Sequence, residues 1–332
     1  MVTIYHDADA DLDALAGETI AVVGYGNQGR SQALNLRDSG LAVVVGNIGD
    51  ASRETARRDG FETFDIADAC ARAQAVLLLV PDEVMPRVYA EHVAPQLQPG
   101  DLLDFASGYN VAFGLIDPPG SVDVVLVAPR MIGPGVRDTY VQGQGFPSFV
   151  GVHRDATGRA RARMLALAKA LGSTRAGCIE MSMHDEACLD LFTEQGFGPA
   201  FGQVMMTAVN LLVEAGYPPE AVLLELYLSG ELAYAFAKIR EVGMLEQMDF
   251  HSRTSQYGSI TRARRFAPLA EPLKRSMQEV LESIRSGEFA REWSDMQEKG
   301  AELLANVKAA RARLPMARWE REARRAFHIG KT

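Results

Sequence analysis

Cysteine, basic charge and long hydrophobic runs are all scarce in this sequence. Its three cysteines include no CxxC pair, which excludes a disulfide framework and a thiolate-bound metal cluster and is typical of a reducing cytoplasm. The formal net charge of −9 at pH 7 argues against a nucleic-acid or anionic-membrane partner, because either partner usually selects a basic face.

The N-terminus and the hydrophobic pattern give no sign of secretion or membrane insertion. Residues 1–11 are acidic and lack the basic-then-apolar order of a signal peptide. No uninterrupted apolar run approaches the roughly 20 residues that cross a bilayer. A basic run between Arg311 and Arg325 is interleaved with Glu320 and Glu322, and we interpret it as the solvated face of a terminal helix. A soluble, cytoplasmic protein is expected.

The first half of the chain alternates short apolar runs with helix-like stretches. The runs are residues 19–23, 41–45, 75–80, 101–105, 123–127 and 149–152. Most of them carry no polar alternation, as expected for strands of a parallel sheet that helices cover on both faces. This order of elements predicts a doubly wound, Rossmann-type α/β domain.

The composition changes near residue 183, where β-branched runs give way to Leu, Ala, Met, Glu and Arg at helical spacing. Helices are predicted over residues 187–213, 219–242, 267–285, 288–311 and 315–327. The predicted fold class is therefore an α/β Rossmann-type N-terminal domain, residues 1–182, followed by an all-α C-terminal domain, residues 183–332.

A glycine-rich motif follows the first predicted strand and opens a helix. It consists of Gly24, Tyr25, Gly26, Asn27, Gln28 and Gly29. The first glycine permits a tight turn, the second lets the backbone approach a pyrophosphate, and the third allows close helix–strand packing. In this context the motif predicts a dinucleotide site at the helix N-terminus. The alternative is a glycine turn in a domain without a cofactor.

The residues after the second predicted strand bear on the choice of cofactor. Asp50 is placed to accept the ribose hydroxyls of NAD and would repel the 2′-phosphate of NADP. Ser52 and Arg53 argue the other way, because these residue types bind a phosphate. We predict NAD, with NADP as the alternative. Asp50 can also cap the helix that follows it.

Two carboxylates in the helical half are four residues apart. Asp190 and Glu194 would project from one face of a helix, about a turn apart, and repel each other. Mg²⁺ removes such repulsion and prefers carboxylate oxygens. The pair is therefore a candidate metal site, with a solvated surface as the alternative.

Several ordered motifs, taken together, resemble the ketol-acid reductoisomerases, which convert 2-acetolactate into a 2,3-dihydroxy acid. They include VGYGNQG, DLFTEQ and SGEFAREW, and they occupy residues 4–12, 23–29, 33–40, 81–83, 136–140, 143–145, 172–177, 190–195, 212–217 and 286–293. The resemblance runs almost from end to end. It implies a knotted, dimerising C-terminal domain and at least a homodimer, with two Mg²⁺ ions and a nicotinamide cofactor.

The resemblance also assigns metal ligands. It implies that Asp190 and Glu194 bind metal, that Glu194 also moves a proton, and that the partner subunit supplies a second carboxylate pair. Glu225 matches the first member of that pair, but its i+4 neighbour is Ser229. Glu231 takes the second place if two residues are inserted.

Other positions match the family's cofactor and substrate contacts. Pro81, Asp82 and Gly133 fall at cofactor positions, and Ser252 matches the serine that holds the substrate carboxylate.

Two departures from the family pattern fall on expected catalytic positions. The family's His-Gly-Phe-Asn reads Ser107-Gly-Tyr-Asn here, and its Pro-Lys-Ala-Pro-Gly reads Pro-Arg130-Met-Ile-Gly. The first exchange removes a titratable donor, and the second replaces a compact cation by a planar one that does not give up its proton. Gln256 and residues 196–201 differ as well.

These departures lead us to expect a repurposed reductoisomerase that acts on a small hydroxy or keto acid or a vicinal diol in specialised metabolism. Cyclopropanol formation from a sulfonium diol is one example. The alternatives are an ordinary acetolactate reductoisomerase and a non-catalytic dinucleotide-binding dimer.

Overall fold

The computed structural model describes residues 2–330, apart from the side chains of Glu298 and Ala301. The chain divides into two compact units, Met1–Asp190 and Leu191–Thr332. The division falls inside the helix Met183–Phe192, whereas the sequence predicts a boundary between residues 182 and 183.

The first unit contains one sheet. Its strands are β1 (Ile4–Tyr5), β2 (Thr19–Val23), β3 (Ala42–Gly46), β4 (Glu62–Phe64), β5 (Ala75–Leu78), β6 (Leu102–Phe105), β7 (Asp123–Pro129), β8 (Ser148–Arg154) and β9 (Cys178–Glu180). Their order is β1-β9-β8-β7-β6-β5-β2-β3-β4. Each of the six predicted runs overlaps a strand. The short strands β1, β4 and β9 were not predicted, because two or three residues carry no periodicity.

Five of the six predicted runs form the parallel strands β2, β3, β5, β6 and β7, as predicted, and the run at residues 149–152 forms β8, which reverses direction. β8 pairs antiparallel with β7, and β1 pairs antiparallel with β9. Pro129 at the end of β7 faces Ser148 at the start of β8, so the connection between them stays at one edge of the sheet. An apolar run does not record strand direction, which the connection decides.

Helices cover both faces of the sheet. They are α1 (Asn27–Asp38), α2 (Ala51–Arg58), α3 (Ile66–Cys70), α4 (Met85–Val88), α5 (Tyr109–Ala112), α6 (Gly133–Val141), α7 (Ala160–Leu171) and α8 (Met183–Phe192). One apolar cluster joins α1, α6 and α7 to one face, and a second cluster covers the other. The parallel strands β2, β5, β6 and β7 therefore end at a single, fixed edge, where open α/β sheets bind their ligands.

The second unit is helical, as predicted. It contains α9 (Gly198–Glu214), α10 (Pro219–Leu223), α11 (Glu231–Val242), α12 (Arg253–Ala263), α13 (Ala270–Arg285), α14 (Glu288–Arg311) and α15 (Pro315–Ala326). The predicted helix 187–213 is interrupted by a π-helical turn at Thr193–Phe197, and 219–242 by another at Leu224–Leu228. Helix α12 was not predicted, because its apolar residues are few.

The described part of the second unit has a small core. Only four of its hydrophobic residues form the buried cluster: Val209, Val222, Leu223 and Ala323. One continuous helical stretch, Met183–Glu214, is long and apolar enough to cross a membrane by length and composition alone, and 11% of its most apolar window is buried. A single such helix is weak evidence for a membrane, and here it identifies an uncovered apolar surface.

Candidate active site

The glycine-rich loop has the geometry that a pyrophosphate requires. Gly24 has a φ of +95°, and a Cβ there would lie 2.6 Å from the carbonyl oxygen of Leu79. A Cβ on Gly29 would lie 2.0 Å from the carbonyl oxygen of Gly24, whereas one on Gly26 would meet nothing within 4 Å. The loop is therefore closed on the protein side and open beside Gly26, at the start of α1. A dinucleotide phosphate fits this cradle.

Side chains of the motif hold the loop in place. The buried Tyr25 donates its hydroxyl to Asp59 at 2.9 Å, and Arg30 binds the same carboxylate at 2.7 Å. Burial and the neighbouring carboxylate raise the pKa of Tyr25. Gln28 donates to the carbonyl of Met131 at 3.0 Å, which ties the loop to the segment after β7. Asn27 is the first residue of α1 and is exposed.

Asp50 caps helix α2. Its Oδ1 accepts hydrogen bonds from the backbone amides of Ser52 and Arg53, at 2.9 and 3.0 Å, and from the Asn47 side chain at 2.8 Å. The carboxylate is exposed beside the end of β3. Arg53 forms an ion pair with Asp65 at 2.6 Å. The structure thus confines Arg53 with a carboxylate and leaves the Asp50 carboxylate open to solvent.

Three more predicted cofactor residues, Pro81, Asp82 and Gly133, lie at this edge of the sheet. Pro81 and Asp82 follow β5, and the Asn110 side chain donates to the Asp82 carboxylate at 3.1 Å and to its carbonyl at 3.3 Å. Gly133 begins α6, directly after the segment that Gln28 binds. These contacts bring the predicted cofactor residues that follow β2, β5 and β7 to one edge.

Arg130 lies between two carboxylates. Its Nη1 is 2.7 Å from Oδ1 of Asp190, and its Nη2 is 2.7 Å from Oε1 of Glu186. The guanidinium carbon also lies 4.8 Å from the centroid of the Phe149 ring. The predicted residues Arg130 and Asp190 are therefore in direct contact, and a planar fork fits two carboxylates in this manner.

Glu186 is the site residue that the sequence analysis missed. Its side chain is fully buried, and its Oε2 accepts the backbone amide of Gly108 at 2.6 Å. Burial raises its pKa to about 7, although the Gly108 amide and Arg130 oppose that rise. The available signal was its spacing, because Glu186 stands four residues before Asp190 on α8.

Ser107 lies on the loop that follows β6. Its hydroxyl oxygen accepts the backbone amide of Tyr109 at 3.3 Å, an ordinary contact for a serine that starts a turn. A Cβ on Gly108 would lie 2.2 Å from the carbonyl oxygen of Met183. The loop thus packs directly on the start of α8, with Ser107 half-buried beside it.

The remaining predicted ligands belong to the second unit and are exposed. Glu194 lies in one π-helical turn and Glu225 in the other, and such turns are frequent at functional sites. Glu231 begins α11, after Gly230 at a φ of +86°. Ser252 caps α12 by accepting the Ser255 amide at 3.3 Å. Within residues 2–330 of one chain, no three His, Cys, Asp or Glu residues form a group that could hold a metal.

The carboxylates suit a hard cation in kind. Asp190 is 42% exposed at its side chain, and Glu194, Glu225 and Glu231 are exposed. Mg²⁺ takes carboxylate and water oxygens, so each of these side chains is of a kind that can ligate it.

Comparison with known proteins identifies both halves of the chain. Residues 14–177 match the family model of the acetohydroxy acid isomeroreductase NADPH-binding domain, and residues 183–328 match that of the ketol-acid reductoisomerase C-terminal domain. Together the two models cover most of the sequence.

Individual relatives agree with the family models. The chain is 43% identical over 318 residues to a putative ketol-acid reductoisomerase 3 of Saccharolobus solfataricus, with 95% of each chain covered. It is 45% identical to the NADP(+) ketol-acid reductoisomerase of Methanopyrus kandleri, with 90% of each covered. A solved NADH-preferring ketol-acid reductoisomerase from an uncultured archean superposes with a TM-score of 0.91 at 36% identity, covering 97% of this chain and 98% of that one.

Proposed function

The chain belongs to the ketol-acid reductoisomerase family, and we propose that it is an NAD(P)H- and Mg²⁺-dependent reductoisomerase of a small hydroxy-keto acid. One observation carries the proposal. The glycine cradle after β2 and the Arg130–Glu186–Asp190 cluster, whose arginine follows β7, lie at the same edge of the sheet. A nicotinamide and a metal-bound substrate would have to be neighbours there.

Each residue of the site has a distinct part in this proposal. The backbone of the cradle binds the pyrophosphate, and Asp190 and Glu194 would bind metal together with Glu225 and Glu231 of a second copy. When bound, a nicotinamide cofactor would supply hydride, and the metal would supply Lewis acidity toward the substrate oxygens. Ser252 would hold the substrate carboxylate. Glu186, whose pKa of about 7 lies near neutrality, can hold or release a proton beside the metal edge.

2-Acetolactate is the first candidate substrate. The support is that curated relatives over nine tenths of the chain are named ketol-acid reductoisomerases. None of the comparisons supports cyclopropanol formation, which the sequence suggested as one example.

A different acid with adjacent oxygens is the second candidate. It is favoured by Arg130, which engages Glu186 and Asp190 at once, where the family pattern has a lysine. Ser107, the residue before the Gly108 amide that binds Glu186, stands where the family pattern has a histidine. Removing a positioned proton donor commonly lowers a rate by about 10²–10⁴, so these exchanges would slow the acetolactate reaction.

A direct assay separates the two substrates. The purified protein is given 2-acetolactate, Mg²⁺ and either NADH or NADPH, and kcat/KM is measured. A value above about 10⁴ M⁻¹s⁻¹ lies in the ordinary range for enzymes and establishes acetolactate as the substrate. A far lower value, restored in part by Ser107→His with Arg130→Lys, supports the second candidate. Glu194→Gln, which keeps the shape and removes the charge, should abolish turnover with either.

We also propose a homodimer. The support is the exposed apolar surface of the second unit, which includes Val204, Leu211 and Tyr234 at 64–65% exposure. Exposed apolar residues that gather into a large patch usually mark an interface, and a second copy would also supply Glu225 and Glu231.

A further inference from the structure

Arg130 is fixed on three sides. Two nitrogens of its guanidinium bind Asp190 and Glu186, each at 2.7 Å, and its carbon lies 4.8 Å from the centroid of the Phe149 ring. The Arg130 side chain is 24% exposed. Because the guanidinium is planar, both hydrogen bonds are fixed in direction once the ring and one carboxylate are in place.

The two carboxylates differ in their access to solvent. Glu186 is fully buried and also accepts the Gly108 amide, so leaving it without Arg130 would strand a buried acid. Asp190 is 42% exposed at its side chain. An incoming cation can therefore reach Asp190, while Arg130 keeps its bond to Glu186.

We propose that Arg130 is an internal competitor of the divalent metal, because its Nη1 occupies Asp190, whose exposed carboxylate has to give up this contact when the metal binds. The proposal rests on the metal-binding role of Asp190 in the proposed function. The guanidinium and Mg²⁺ would bind the same carboxylate oxygens of Asp190, and their positive charges repel each other at contact distance. The arginine thus lowers the affinity of this site for metal.

A lysine at this position would lack the competing contact. Its ammonium is a compact point charge without a planar fork, so it can bind Glu186 and leave Asp190 free. Arg130→Lys also keeps the net charge of the site. Any gain in metal affinity in this variant is therefore due to the release of Asp190 from its contact with residue 130. It is not due to a change in the net charge of the site.

The experiment titrates Mn²⁺ into the full-length protein and measures free Mn²⁺ by electron paramagnetic resonance. Arg130→Lys should bind Mn²⁺ about tenfold more tightly than the unmodified protein, equivalent to about 1.4 kcal/mol. Arg130→Met, which removes both the contact and the charge, should bind at least as tightly as Arg130→Lys. Arg137→Lys is the matched control, because Arg137 also bridges two side chains, Asn35 and Asp38, and its exchange should change nothing.

The outcomes are distinguishable. If Arg130→Lys and the unmodified protein bind Mn²⁺ equally while Arg130→Met binds more tightly, simple charge repulsion explains the result and the competition is refuted. Weaker binding in Arg130→Lys refutes it as well. If none of the proteins binds Mn²⁺ and Glu194→Gln keeps the turnover of the unmodified protein, the metal site of the proposed function is refuted. The competition is then refuted with it. Thermal unfolding in chelator confirms that each variant is folded.

Discussion

At the scale of single residues, the choice of cofactor depends on what the charged side chains of the loop after β3 contact, and not only on which charges the loop carries. Arg53 could receive a 2′-phosphate, yet it is paired with Asp65 at 2.6 Å. Asp50 satisfies the first turn of α2 with one oxygen and faces solvent. The same short loop thus presents a negative charge and restrains a positive one, and from this arrangement we predict a preference for NADH over NADPH.

Asp50→Ser is expected to reduce the preference for NADH by roughly fivefold. Serine still caps the helix, so the change removes the charge with the fold intact, and an exposed charge is worth up to about 1 kcal/mol. Titration of both reduced cofactors by fluorescence measures the two dissociation constants.

Asp65→Asn, which frees Arg53, should tighten NADPH binding. Glu62→Gln removes an equal charge from β4, two residues before its end, and serves as the control that should leave the ratio unchanged. If the unmodified protein binds NADPH about tenfold more tightly than NADH, a difference of about 1.4 kcal/mol, the proposed role of Asp50 is wrong.

At the scale of elements, strand β6 carries an unusual acid. Asp104 is fully buried on this strand, and among the described residues no well-formed hydrogen bond reaches its oxygens, although the backbone amides of Val127 and Phe105 lie close enough to oppose a rise of its pKa. Burial raises its pKa well above the ordinary value. The folded protein therefore keeps a proton that the unfolded chain releases once the pH exceeds about 3.9.

This difference predicts that the contribution of Asp104 to the free energy of unfolding falls as the pH rises above the pKa of the unfolded chain. Between the unfolded and the folded pKa of Asp104 the slope is about −1.4 kcal/mol per pH unit, because the unfolded state binds fewer protons. Asp104→Asn cannot titrate and should lack this component. Urea unfolding between pH 5 and pH 8, an interval chosen above the reference pKa of about 3.9, gives both slopes. Asp117→Asn, at an acid whose side chain is 90% exposed, should keep the slope of the unmodified protein.

Elements with a long periodic pattern were predictable from the sequence, and local breaks were not. The glycine motif, its strand and α1 lie as predicted, because strand, turn and helix each have a local signal. Glu186 was missed because a buried acid is recognised by its partners, Gly108 and Arg130, which are distant in sequence. The direction of β8 depends on a connection whose path no residue pattern specifies.

The break between α10 and α11 leads to a prediction about metal ligands. A π turn takes up one extra residue, so the π-helical turn that holds Glu225 can account for one of the two inserted residues, and the left-handed Gly230 then breaks the helix before Glu231. Glu225→Ala and Glu231→Ala should therefore each weaken Mn²⁺ binding by at least about tenfold, the lower range for altered outer-shell partners of metal sites.

Ser229→Ala is the control for both variants. It removes a side chain between the two glutamates without removing a charge, and Mn²⁺ affinity should stay the same. A loss of affinity in Ser229→Ala, with none in Glu231→Ala, would return the second ligand position to residue 229 and refute the insertion.

At the scale of the whole molecule, the two units differ in the size of their buried apolar cores. The sheet of the first unit has an extensive apolar cluster on each face, whereas the buried cluster in the described part of the second unit has four members. A small core supplies little hydrophobic stabilisation. The helical unit is therefore expected to gain much of its stability from association, which links folding to protein concentration.

Helix α9 offers a test of this association. Val204 and Leu211 are seven residues apart, so they share one face of the helix, and they are 65% and 64% exposed. Val204→Glu with Leu211→Glu places two charges on that face, and burying them against a second copy would be strongly unfavourable. In sedimentation equilibrium the double variant should have a mass near the 36.1 kDa of a single chain, and its melting temperature should fall.

The unmodified protein should show at least twice that mass and a melting temperature that rises with protein concentration. Val141→Glu, at a residue that is 66% exposed on α6 of the first unit, should behave like the unmodified protein. A monomeric unmodified protein would refute the dimer and leave Glu225 and Glu231 without a route to the partner's metal site.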